Sequence, residues 1–392
     1  MRILILGSGA REHALAWKFS KSNRISGLFI APGNSGTEEV GTNINIDPLN
    51  FDLVAKACKE NKINYIFVGT ETPLAAGIVD KLRGSGINII GPHQKAAMLE
   101  SSKTFSKRFM NKYNIPTAAA KEFNNLSEFE NYLNQNTSKL VIKKSGLAAA
   151  GKGVLESDNK SELLSFGKNI LKNDSLLAEE YLEGYEISIF ALYDGKNYVI
   201  LPACSDFKKA GENDTGPNTG GMGAICPVPW VDKNLMRRID KEIVQPSFKG
   251  IAKENLNYKG VLYFGLMITE QGPKVLEYNV RFGDPETQAL LPVIKTDFGN
   301  LIEAIAEGTL DNVPCITNTN SAVCVVIASS GYPDTYKKGV KVAPIKKFNE
   351  KHIHLFHSST TRDEQGVIRT GGDRCFSVVG LGEDTLTAAT AA

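Results

Sequence analysis

The chain has 392 residues, 42% hydrophobic and 22% charged, an ordinary globular composition with length for roughly two to four domains. A formal net charge of +2 gives no polyanion-binding surface, so nucleic acid is not an expected partner. Six scattered cysteines without a CxxC pair, no HExxH spacing, and no segment long enough to span a bilayer point to buried free thiols in a reducing, cytoplasmic setting, without zinc, disulfides or membrane.

Arg2–Leu6 reads as a buried parallel-type strand, followed by the turn Gly7-Ser8-Gly9-Ala10-Arg11-Glu12 and an amphipathic helix. A dinucleotide fingerprint needs a third glycine where Glu12 stands, and an acid after the second strand. That strand, Leu28–Ile30, ends instead in Ala31-Pro32-Gly33-Asn34, which argues against a nicotinamide dehydrogenase. Strands at Tyr65–Val68 and Ile87–Ile90, alternating with helices at Phe51–Asn61 and Leu74–Ser85, predict a doubly wound parallel sheet. Its ligand edge carries the loops 7–11, 32–36 and 69–74, where backbone N–H groups and Arg11 suit a phosphate-bearing small molecule. Any one of these loops alone would be read as a turn.

A helix over Ala96–Tyr113 carries Lys103 and stops before Ile115-Pro116. The strand Leu140–Lys144 then leads into Ser145-Gly146-Leu147-Ala148-Ala149-Ala150-Gly151-Lys152-Gly153-Val154. A P-loop would need Ser or Thr where Gly153 stands and would run into a helix. Val154-Leu155 reads as a strand, so the stretch is a glycine-rich hairpin, either a lid over phosphates or a structural turn. Lys143 faces a phosphate, and Lys144 faces solvent. Ser175–Ser188 reads as a strand, a hinge and another strand, the second running on as Ile187–Tyr193. Backbone at Glu180–Leu182 could pair with an adenine edge, and Glu186 could take ribose hydroxyls.

The stretch Gly211–Gly223 predicts a long functional loop. A kinked helix is expected over Asp232–Glu254, broken by Pro246, then a strand over Gly260–Ile268. In the strand that starts at Lys274, alternation puts Glu277, Asn279 and Arg281 on one face and Leu276, Tyr278 and Val280 on the other. Two hard oxygen ligands beside a cation suit magnesium with a polyphosphate, the alternative being a solvated edge strand. After Pro314, strands at Ala322–Ala328, Lys341–Val342, His352–His357 and Cys375–Val379 predict a smaller α+β module without a catalytic constellation.

The strand lysine, glycine-rich lid, paired-glutamate hinge and late Glu-x-Asn resemble the ATP-grasp ligases. Gly-Ser-Gly-Ala-Arg-Glu-His-Ala-Leu (7–15), Ala-Pro-Gly-Asn (31–34), Asp-Thr-Gly-Pro-Asn-Thr-Gly-Gly-Met-Gly-Ala (214–224) and Asn-x-Arg-Phe-Gly-Asp-Pro-Glu-Thr-Gln (279–288) resemble the phosphoribosylamine–glycine ligase family over essentially the whole chain. The resemblance implies a mixed α/β and α+β multidomain fold. Its expected parts are an N-terminal doubly wound substrate-binding domain (1–102), a lid subdomain with its connecting helix (103–188), a central ATP-grasp subdomain (189–315) and a C-terminal α+β domain (316–392).

It further implies ATP-dependent, ADP-forming ligation of glycine to 5-phospho-β-D-ribosylamine through glycyl phosphate, in purine synthesis, by a cytoplasmic monomer. Another ATP-grasp carboxylate–amine ligase or a biotin-carboxylase-like enzyme is the alternative. ATP would bind Lys103, Lys143, Gly151, Lys152, Gly153, Glu179, Glu180, Tyr181, Leu182 and Glu186. Mg2+ or Mn2+ would bind Glu277 and Asn279, and Arg281, Asp206 and Lys208 would serve catalysis. Arg281 could face either the phosphoryl group or the glycine carboxylate. The substrates would bind Gly9, Arg11, Gly33, Asn34, Glu71 and Pro73, and Asp214, Thr215, Gly216, Pro217, Asn218, Gly220 and Gly221. The chain departs from the family pattern by one extra alanine within Ala148–Ala150 and by ending early in its final helix.

Overall fold

The computed structural model describes residues 1–148, 152–213, 215–345, 348–349 and 351–392. Gly151, Asp214 and the alanine pair 149–150 lie outside the described residues. The apolar runs Arg2–Gly7, Gly27–Pro32, Tyr65–Val68 and Asn88–Pro92 pair in parallel, as their near-continuous hydrophobicity predicts. This sheet does not stop at the first unit. Gly91 and Pro92 pair antiparallel with Lys259 and Tyr258, so it runs on through Tyr258–Thr269 into Tyr185–Tyr193, Tyr198–Ile200 and Gly272–Asn279 as one nine-stranded sheet.

A second, five-stranded sheet joins Ser205–Gly211 and Thr215–Cys226 to Ser321–Ala328, Arg374–Gly382 and Ile353–His357. The stretch 211–223 is thus largely strand rather than the long loop expected, pairing with Ser205–Gly211 through two register shifts. Lys341 makes only an isolated bridge to Arg369, so the strand expected at Lys341–Val342 does not form. A third, antiparallel sheet of four strands, Ala120–Phe123, Leu176–Glu180, Leu140–Lys144 and Val154–Ser157, carries its own apolar core around Phe123, Phe129, Ile142 and Leu176. Lys143 pairs with Val154, the hairpin that the strand pattern predicted.

Three helices break where the sequence suggested continuity. Ser102 is extended (φ −141°, ψ 103°) and caps a new helix, Lys103–Lys112, by accepting from Phe105 N. The Lys103 amide is thereby free to donate to Ser145 O at 2.9 Å, which the helix could not have allowed. Gly77, at φ 86°, splits 74–85 into Glu71–Ala75 and Ile78–Lys81. Pro246 does not simply kink its helix. A π-turn over Asp240–Val244 precedes it, and that wider turn absorbs the clash and the missing N–H of a helical proline.

Candidate functional site

Glu277 and Asn279 lie on the strand Gly272–Asn279, opposite Gly265 and Tyr263. From Glu277 onward alternation holds: Tyr278, Val280 and Phe282 are at most 2% exposed, while Glu277, Asn279 and Arg281 face the cleft. Leu276 departs from it. A bulge against Gly265 and Leu266 gives the core position to Val275 and turns the Leu276 carbonyl to Lys143 Nζ, 3.0 Å away.

Burial alone would raise the Glu277 carboxyl, but Lys208, Lys103, Lys143 and Arg281 together hold it below the ordinary value. A carboxylate kept ionised among four cations fits a divalent metal carrying polyphosphate, with the Asn279 amide as a second oxygen ligand. Lys103 has no carboxylate partner among the described residues; the other three cations are paired. Lys143 Nζ lies 2.8 Å from Glu179 Oε2. Lys208 Nζ lies 2.5 Å from Glu186 and 3.9 Å from Asp206. Burial drives the Asp206 carboxyl up against the opposing Lys208 charge.

Glu179 stands between Lys143 and Lys107, whose Nζ is 3.0 Å from Oε1. The three side chains are among the most buried charges in the chain. The two lysines outweigh burial and hold the Glu179 carboxyl low. Glu179 therefore sits beneath Lys143 as a buttress, while Glu180 is exposed and accepts from Ala119 N. Tyr181 lies under Lys139 Nζ, 3.7 Å from the ring centroid, Leu182 is buried, and Lys152 is exposed next to the buried Gly153.

Arg281 donates to Glu100 Oε1 at 2.8 Å and lies 3.4 Å from Glu71 Oε2. Its Nε–H has no hydrogen-bond acceptor among the described residues. Glu100, which also accepts from Val280 N, is pushed up by burial despite Arg281. Glu71 is held low because Arg281 and Arg11 outweigh its burial. Pro73 is buried in the short helix that Glu71 begins.

At the sheet edge, Glu12 folds back to accept from Gly9 N at 2.7 Å and pairs with Arg11. A Cβ on Gly7 (φ 136°) would lie 2.6 Å from that side chain. Glu12 thus fills the cradle in which a dinucleotide fingerprint holds its pyrophosphate. Arg11 reaches Phe282 O at 3.0 Å, joining the first loop to the segment that follows the strand Gly272–Asn279. Asn34, next to Gly33, is consumed locally: it donates to Ser8 O and His357 O and accepts from Gly36 N and Thr37 N. Of the glycine-rich strand, Thr215, Gly216 and Pro217 are exposed, Asn218 is half-buried, and Gly221 packs on Asp284 and Pro285.

Sequence reasoning missed Glu100, Arg374 and Tyr332, isolated residues with no local motif, and gave no role to Asp284 and Glu286 within the motif it quoted. Asp284 is held low because Arg374, Arg11, Gln288 and Arg281 outweigh its burial. Glu286 accepts from Ser188 Oγ at 3.0 Å and is pushed up to about 7 by burial and then by Asp206.

Comparison with known proteins covers nearly the whole chain. Family models for phosphoribosylglycinamide synthetase match its N domain at residues 1–100, its ATP-grasp (A) domain at 101–287 and its C domain at 322–392. A phosphoribosylamine–glycine ligase of Caldanaerobacter subterraneus subsp. tengcongensis is 43% identical over 98% of this chain and 93% of its own. The trifunctional purine biosynthetic protein adenosine-3 of Gallus gallus is 41% identical over 99% of this chain, which spans 40% of that larger protein. A crystal structure of phosphoribosylamine–glycine ligase from Thermotoga maritima superposes with a TM-score of 0.85 at 33% identity, covering 100% of this chain and 95% of that one. A biotin carboxylase domain from Hydrogenobacter thermophilus, solved with MgADP and bicarbonate, shares the fold at 16% identity and a TM-score of 0.70, over 97% of this chain and 86% of that one. The chain belongs to the phosphoribosylglycinamide synthetase family.

Proposed function

We propose that the chain ligates glycine to 5-phospho-β-D-ribosylamine in purine synthesis, with ATP converted to ADP and phosphate. The observation that carries this reading is Glu277, ionised among Lys103, Lys143, Lys208 and Arg281 at the head of the motif 279–288. A carboxylate does not accept an amine in water, because oxide would have to leave. Phosphorylation of the glycine carboxylate makes phosphate the leaving group, and the amine then attacks the acyl carbon of glycyl phosphate.

Lys103 and Lys143 hold the ATP phosphates, and Glu179 fixes Lys143 from below. Glu277 and Asn279 hold Mg2+ or Mn2+, which when bound neutralises phosphate charge. Arg281, anchored by Glu100 and Glu71, neutralises the transferring phosphoryl group or the glycine carboxylate, with Asp206 and Lys208 beside it. The loops at Gly9–Arg11, Gly33-Asn34 and Glu71–Pro73 hold phosphoribosylamine. The lid at Gly146–Gly153 excludes water, which would hydrolyse the acyl phosphate. The buried free cysteines support a reducing, cytoplasmic location, and no helix among the described residues is long and apolar enough to cross a membrane. The test is ADP release with glycine and phosphoribosylamine omitted in turn. ADP release that is indifferent to glycine refutes the reading.

A further inference from the structure

Arg374 opens the strand Arg374–Gly382 of the C-terminal module, yet its guanidinium leaves that module. Nη1 donates to Gly220 O at 2.6 Å, lies 3.2 Å from Asp284 O, and pairs with Asp284 Oδ1 at 3.2 Å. One nitrogen therefore ties the glycine-rich strand to the turn that follows the metal-ligand strand. The same backbone is held from a second side. Gly220 N donates to Tyr332 Oη at 2.7 Å, and Gly221 N donates to Thr219 Oγ1, which itself donates to Lys208 O. The approach is as tight as backbone allows. Gly221 sits at φ 103°, and a Cβ there would lie 2.4 Å from Pro285 Cδ.

The structure assigns Arg374, we infer, as a positioning residue for the amino-acid substrate. It holds the bare Gly220-Gly221 backbone against the turn 283–285, on the side of the cleft that carries Lys208, and loosening that wall is expected to admit an amino acid larger than glycine. This inference rests on the ligase reading above and adds to it the residue that sets amino-acid selectivity. Asp284 connects the wall to the chemistry, because it feels Arg11 and Arg281 as well as Arg374. A lysine at position 374 keeps the charge but loses the rigid, planar guanidinium that holds Nη1 between the two segments.

The experiment is steady-state ADP release by wild type, Arg374→Gln, Arg374→Lys and Tyr332→Phe, with glycine, alanine and ATP each varied. Losing a charged hydrogen bond to the wall is expected to raise KM for glycine about tenfold or more in Arg374→Gln. KM for ATP should stay within about twofold, and the alanine-to-glycine ratio of kcat/KM should rise. Arg374→Lys should fall between wild type and Arg374→Gln. A variant that folds with unchanged KM for glycine and an unchanged alanine-to-glycine ratio overturns the inference, as does an equal rise in both KM values. If Arg374→Gln does not fold, Arg374→Lys and Tyr332→Phe decide in the same terms. Wild-type ADP release without glycine dependence would sink the ligase reading itself, a separate outcome from these.

Discussion

Replacing Glu179 by glutamine keeps the side chain's shape but removes the one negative charge between Lys107 and Lys143, which are 5% and 7% exposed. Breaking a buried ion pair costs about 3–5 kcal/mol, because it leaves a charge uncompensated. The lower end applies here. Lys107 keeps Thr117 Oγ1 and Ala118 O, and Lys143 keeps Leu276 O. At 1.4 kcal/mol per factor of ten, ~3 kcal/mol speeds local opening of the four-stranded sheet about 100-fold. The assay is amide hydrogen exchange over the strands Leu140–Lys144 and Leu176–Glu180. Tryptophan fluorescence would miss the change, since Trp17 and Trp230 lie outside this sheet. The sign with pH is also fixed. Glu179 is held below its ordinary value, so its contribution is complete above the unfolded carboxylate pKa near ~4.3 and is lost as pH falls through the lower folded value. The gap between wild type and variant should therefore be full at neutral pH and close in acid. Exchange within about twofold of wild type at neutral pH would refute the buttress.

Glu277→Ala should abolish glycine-dependent ADP release while leaving the circular dichroism spectrum unchanged, and wild-type-like turnover would remove Glu277 from the metal site. Gly221→Ala forces an L-residue to φ 103° with its Cβ 2.4 Å from Pro285 Cδ, and should cost ~1–3 kcal/mol in a urea titration. An unchanged midpoint would mean that the turn yields freely. Glu286, pushed up to about 7, binds its proton more tightly folded than unfolded, so its share of stability falls as pH rises from ~4.3 through about 7. Glu286→Gln should flatten that fall, by at most about 4 kcal/mol, in urea midpoints taken across this window. Parallel pH profiles for variant and wild type would contradict it.

Much of the cleft was legible because its signals are local. Strand alternation put Glu277, Asn279 and Arg281 on one face, and the paired strands around 144–154 gave the hairpin. What failed was set by partners distant in sequence. Leu276 was assigned to the face of Tyr278, but pairing with Gly265 and Leu266 bulges the strand there, and a bulge leaves no trace in a two-residue period. The helix over 96–113 has no internal proline or glycine; it breaks where Lys103 N finds Ser145 O. Glu179 looked like half of a polar hinge until the sheet placed Lys107 and Lys143 on either side of it. The glycine-rich stretch 211–223 looked structureless, yet Ser205–Gly211 offers it a strand edge.

At the turn 283–285 two parts of the chain grip the segment that follows Glu277 and Asn279. The N-terminal unit reaches the residue before the turn through Arg11 to Phe282 O, and the C-terminal module reaches Asp284 through Arg374. Both grips fall within seven residues of Glu277, so the N-terminal unit and the C-terminal module are both fixed close to Glu277 and Asn279. The four-stranded sheet is attached differently. Pro116 O accepts from Val275 N, Thr117 Oγ1 donates to Val275 O, and Lys143 Nζ donates to Leu276 O. These contacts fall on the upstream half of the same strand, before Glu277. The bulge at Leu276 lies between the two halves, so the attachment of the four-stranded sheet and the grips on the turn 283–285 fall on opposite sides of it.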